Sequence, residues 1–129
     1  MEIQTRHYDN VAIITIIGRF YANFLQQFFH IISDQLAAGY SCLVIDLKQV
    51  DFLNSIGIKA ILQVAKQTRQ QGGDLRIANA RKNVYYVLKL AGVDQVIKVY
   101  PSVIGATSSY ISTWYPDDEA MYLINICNK

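Results

Sequence analysis

The chain has 129 residues, of which 52% are hydrophobic and 17% charged, a balance that suits one domain around one sizeable core and excludes a disordered chain. Its 12 basic and 10 acidic side chains leave a formal charge of +2 and are scattered, so nothing forms the basic stripe that a nucleic-acid backbone would require. No apolar run approaches the roughly 18 residues of a membrane span, so neither nucleic acid nor membrane is an expected partner.

Residues 1–7 lack the basic-then-apolar order of a signal peptide. Cys42 and Cys127 stand far apart with no spacing motif, which suggests reduced thiols and a cytoplasmic location. Residues 11–17 are short, β-branched and followed by Gly18, and read as a buried strand. Residues 3–8 alternate more loosely and read as its partner across an Asp9-Asn10 turn. At Asn23 the period changes. That side chain can cap a helix whose apolar face is Leu25, Phe28, Phe29, Ile32 and Leu36, with Gly39 as its stop.

Residues 42–47 form a continuous apolar run of strand length, expected at the centre of a sheet. A loop over 48–54 leads to a second helix, with Ser55 as N-cap and Ile58, Ile61, Leu62 and Ala65 facing the core. Gly72-Gly73 ends it. Residues 75–78 are a third apolar strand, 83–90 a short helix with Val84, Val87 and Leu88 inward, and 96–100 a further strand. A last helix is expected from Val103 to about Ser112, weakened by Gly105 and several hydroxyl residues. Strands alternating with helices make this an α/β domain with a mainly parallel sheet. After Thr113 the pattern fails: residues 114–119 are turn-like and acidic, and 121–126 read equally as an extra strand, a packed helix or a contact surface.

Three pieces in order carry a resemblance. Val44-Ile45-Asp46-Leu47 precedes Phe52-Leu53-Asn54-Ser55-Ile56-Gly57; a helix then ends in Gly72-Gly73-Asp74-Leu75-Arg76-Ile77-Ala78; Val87-Leu88-Lys89-Leu90-Ala91-Gly92-Val93 follows. From about Ile3 to Tyr110 this order resembles the STAS domain of bacterial anti-sigma factor antagonists, and the piece at 52–57 resembles that family's phosphorylation loop, usually Asp-Ser-Ser/Thr-Gly. The resemblance implies a single STAS-like domain over residues 1–112. Its sheet would be four- or five-stranded, mixed and mainly parallel, with helices largely on one side, and residues 113–129 would form a C-terminal extension. It further implies that Ser55 is the phosphorylation site. The unphosphorylated form would bind an anti-sigma factor/serine kinase and free a sigma factor, phosphorylation would end that binding, and a serine phosphatase would reset it. No cofactor is implied, because ATP belongs to the kinase. The chain departs from the pattern at three places: Asn54 stands where Asp is commonest, Ile56 replaces a hydroxyl residue, and Tyr21 takes the acidic position of a Gly-Glu-Leu-Asp turn matched by residues 18–21.

The expected partner surface is Tyr21, Asn54, Ser55, Ile56, Gly57, Lys59 and Ala60. A serine at a helix start sits beside orphan N–H groups and the positive end of the helix dipole, so a phosphate there is tolerated by the domain. Its charge of roughly −2 would still repel a docked acidic or apolar surface. Gly57 is expected to let a partner backbone approach. Plainer readings stand beside these. Ser55 serves as a cap alone, Asn54 and Gly57 as turn formers, Ile56, Ala60 and Val64 as a wide core face, and Lys59, Gln63, Lys66 and Arg69 as a solvated face. His7 and His30 show no metal-site spacing, and enzyme motifs are absent. A rival reading keeps the fold as a scaffold with an idle phosphorylation site, self-associating through the C-terminal extension; an enzyme or small-ligand carrier rests on fold analogy alone.

Overall fold

The computed structural model describes residues 2–111. The extension expected at 113–129, with its acidic and apolar segments and Cys127, lies outside the described residues. The chain begins as an antiparallel hairpin, β1 (Glu2–Tyr8) and β2 (Val11–Arg19), closed between Tyr8 and Val11 by a turn in which Asp9 takes φ +52°. Asp and Asn tolerate this left-handed conformation because their short polar side chains bond locally. Strands β3 (Cys42–Phe52), β4 (Asp74–Ala78) and β5 (Lys98–Tyr100) then add in parallel, giving a five-stranded mixed sheet in sequence order. Between them lie α1 (Leu25–Ala37), α2 (Ser55–Gln70) and α3 (Lys82–Leu90), and α4 (Val103–Ile111) follows β5.

Alternation along the strands sorts these helices between two faces. Ala12, Ile14, Ile16, Leu43, Ile45, Leu47, Leu75 and Ile77 pack with Phe28 and Ile32 of α1, Ile58 and Ile61 of α2, and Val84 and Leu88 of α3. The intervening residues Val11, Ile13, Cys42, Val44 and Ala78 pack with Ala106 and Tyr110 of α4. Helices thus lie largely on one side, as expected, with α4 alone among the described helices on the other. That helix forms despite Gly105 because Ala106 and Tyr110 are buried and the Ser102 hydroxyl accepts the Gly105 N–H at 3.0 Å.

Several local expectations are corrected. Asn23 is no cap: it is exposed inside a 3-10 turn (Ala22–Phe24), and α1 follows Phe24 without a side-chain cap. The third strand runs five residues past Leu47 because β2 continues beside it to the Arg19–Phe52 pairing, across a bulge. The last strand is shorter than 96–100, since a second 3-10 turn (Val93–Gln95) precedes it. Cys42 is buried on the α4 face of the sheet.

Candidate functional site

The site is the joint between the end of β3 and the start of α2. Asn54 has extended backbone (φ −115°, ψ −175°), and its Oδ1 accepts the N–H groups of Ile56 at 3.1 Å and Gly57 at 3.2 Å. Its carbonyl accepts Ile58 N–H at 3.0 Å. Asn54, not Ser55, is therefore the N-cap, because its amide oxygen reaches the second and third orphan donors that a capping group must satisfy. Ser55 becomes the first residue of α2, exposed, its hydroxyl released from capping.

Of the residues expected to meet a partner, the structure brings some to the surface and turns others inward. Tyr21, Ser55, Ile56 and Lys59 are exposed and Asn54 is half-buried. Gly57 and Ala60 are buried. A Cβ on Gly57 would stand 2.5 Å from Leu53 Cδ1 and 3.2 Å from the Phe20 ring. Glycine is needed there so that α2 can settle on its own core, not so that a partner backbone can approach. Ala60 likewise lies at the core's edge, and Val64 is wholly buried, in line with the plainer reading of that stripe.

Sequence reasoning missed the neighbours that turn this joint into a surface. Phe52, the last residue of β3, is 42% exposed, matching Tyr21 at 41% and Ile56 at 38%. Its ring lies 6.4 Å from that of Tyr21, and the Arg19 guanidinium sits 5.9 Å from its centroid. Arg19 Nη1 donates to the Tyr21 hydroxyl at 3.2 Å, and its Nε lies 3.7 Å from Asp51 Oδ1. The Tyr21 hydrogen bond, and then the Asp51 charge, push the guanidinium further toward its charged form. On the other flank a shallow groove of ≈ 150 Å³ runs between α1 and α2, lined by Leu25, Phe29, Ile56, Lys59, Ala60 and Gln63. The available signal was an aromatic closing a strand just before the capped loop. Leu25 and Phe29, on the core face by helical period, are partly buried against that core and also line the groove.

A STAS domain family model matches residues 2–106. The chain belongs to the STAS domain family. A putative anti-sigma factor antagonist, BtrV, of Bordetella bronchiseptica is 30% identical over 76 residues, 59% of this chain and 66% of that protein. The anti-sigma F factor antagonist of Paenibacillus polymyxa is 22% identical over 108 residues, 82% of this chain and 92% of that protein. The crystal structure of a putative anti-sigma factor antagonist from Thermotoga maritima superposes with a TM-score of 0.78 at 21% identity, covering 83% of this chain and 92% of that one. The match in structure shows the shared fold.

Elsewhere in this STAS domain the charged residues serve the fold. Arg69, placed on a solvated face by its spacing, bonds Asp74 at 2.8 Å and the Val96 carbonyl at 2.5 Å. Arg81 Nε donates to the Lys48 carbonyl at 2.8 Å. His7 stacks on Tyr40 and His30 pairs with Asp34. Among the described residues no cluster of His, Cys, Asp or Glu is arranged to hold a metal ion, and no helix is long and apolar enough to cross a membrane.

Proposed function

We propose that this STAS domain is a regulatory protein-binding module of the anti-sigma factor antagonist kind, switched at Ser55. Unmodified, it docks an anti-sigma factor/serine kinase on the rim formed by Tyr21, Phe52 and Ile56 and on the groove beside Lys59. Phosphorylation of Ser55 dismisses that partner, and a serine phosphatase restores docking. The observation that carries this reading is the exposed Ser55 hydroxyl at the first residue of α2, freed from capping by Asn54 and set among exposed apolar side chains.

The physics of the switch differs from that of an open ring of N–H donors. Two first-turn donors are already held by Asn54, so a phosphate at Ser55 would be stabilised by the helix dipole, with no acid in the first turn to oppose it. Lys59, one turn on, supplies the nearest same-face cation. The domain would stay folded while its surface changed sign. A partner burying apolar area over Phe52 and Ile56 would then have to desolvate a dianion.

The test is a pull-down with the unmodified protein beside Ser55→Asp, together with intact mass after incubation with ATP and the captured kinase. A partner held by the first bait and lost from the second, with one phosphate on the wild type and none on Ser55→Ala, is the expected result. Phosphate on the alanine variant would refute the site. The second reading, a STAS scaffold with an idle serine, is favoured by Tyr21, whose ring packs toward Phe52 in the acidic position of the family's turn; equal capture by both baits would support it.

A further inference from the structure

On the opposite face of the sheet from Ser55, a depression of ≈ 330 Å³ opens between the hairpin and α4. Its walls include Arg6 and Tyr8 of β1, Ile13 of β2, and Val103, Ile104 and Thr107 of α4. Two features mark it as unfinished. Ile104 is 79% exposed and Tyr8 58%, so a largely apolar wall faces water. Thr107 is only 6% exposed, and its Oγ1 is the buried side-chain polar atom without a hydrogen-bond partner among the described residues. Buried hydroxyls are nearly always paired, so an orphan one calls for a group that is not among these residues.

The chain itself offers an occupant. It continues beyond α4, which is one wall of the groove, and residues 121–126 (Met-Tyr-Leu-Ile-Asn-Ile) form an apolar hexad preceded by Asp117, Asp118 and Glu119. The ten residues from Ile111 to Met121 reach up to about 33 Å when extended, whereas doubling back along α4 from Ile111 to Ile104 needs only about 10 Å. Tethering at the groove's own wall gives the hexad a high local concentration. The acidic triplet has the sign that Arg6 attracts. We infer that residues 121–126 of the same chain fold back into this groove, covering Ile104 and Tyr8, supplying a backbone carbonyl to the Thr107 hydroxyl and placing the acidic triplet toward Arg6.

Amide hydrogen exchange of the full chain, read by mass spectrometry, tests this. Reductant is present so that cysteine pairing does not hold the segment in place. Residues 121–126 are expected to exchange at least about tenfold more slowly than in a free peptide of residues 112–129. Ile104→Lys, at an exposed position that the fold does not need, should return them to the peptide's rate while α2 stays protected. Thr107→Val should cause a smaller loss. Wild-type exchange at the peptide's rate, or protection untouched by Ile104→Lys, overturns the inference. So does protection that appears only as protein concentration and the mass from light scattering rise together, because the groove then belongs to a second copy.

Discussion

Under α1, α2 and α3 the sheet meets its helices through aliphatic and aromatic side chains, and the buried charges of the described residues, Asp46 and Arg76, both lie on the α4 face. There Arg76, 4% exposed, bonds Asp74, donates to the Ser109 hydroxyl at 3.1 Å, and holds its guanidinium 4.3 Å from the centroid of the Tyr110 ring. The Tyr110 hydroxyl donates to the Leu43 carbonyl at 2.9 Å, and burial, the largest effect on it, pushes its ionisation upward. Asp46 joins Thr15 at 3.3 Å and the Lys48 N–H at 3.0 Å. The apolar face spreads its stability over many small contacts, while α4 adds a few directional bonds to its own smaller apolar cluster. The Ser55 joint is built on the apolar face. A charge can therefore be added at its surface without touching the polar network beneath α4.

The largest effect should come from breaking that network. Arg76→Ala leaves Asp74 with fewer partners and Tyr110 without its cation, and is expected to cost about 3 kcal/mol or more in urea unfolding; a loss below about 1 kcal/mol would mean that α4 is held by packing alone. Gly57→Val tests the apolar side. Forcing methyl groups against Leu53 and Phe20 should cost about 1–3 kcal/mol by overpacking. The cap assignment is sharpened by a pair of variants: Asn54→Ala should cost about 1 kcal/mol and Ser55→Ala less than about 0.5. The reverse order would make Ser55 the cap.

The smallest effect is that of acid. Burial tends to raise the Asp74 carboxyl, but the Leu75 N–H bond, the Arg69 bond and the Arg76 charge together hold it below its ordinary value of 3.8. A carboxylate lowered on folding contributes stability that is complete above the unfolded value and is lost as pH falls through the folded one. Stability should therefore decline below about pH 4, and Asp74→Asn should flatten that decline in acid titrations followed by circular dichroism.

The legible parts of this protein were those written in a single local pattern. The apolar run at 42–47 and the period of Ile58, Ile61 and Ala65 each need only one face to be buried, so spacing alone disclosed them. The order of elements and the loop at 52–57 likewise pointed to the STAS domain. Asn23 and Ser55 both misled for the same reason. Each is a good capping residue at a plausible boundary, and whether such a side chain caps depends on the φ and ψ that the incoming chain imposes. Gly57 suggests an opening for a partner from sequence, whereas its crowding by Leu53 and by the Phe20 ring, the latter nearly forty residues away, shows only in the fold.

Over the described residues the amino-acid sequence by itself determined an α/β fold with five strands, four helices and a hydroxyl at the start of the second helix, since periodicity and short motifs act through neighbours along the chain. Only the tertiary structure decided which residues surround that hydroxyl. Exposure of Phe52, Tyr21 and Ile56 and burial of Gly57 and Ala60 all follow from how β2, β3 and α2 meet. Burial and electrostatic pairing depend on distances between segments that no local pattern encodes.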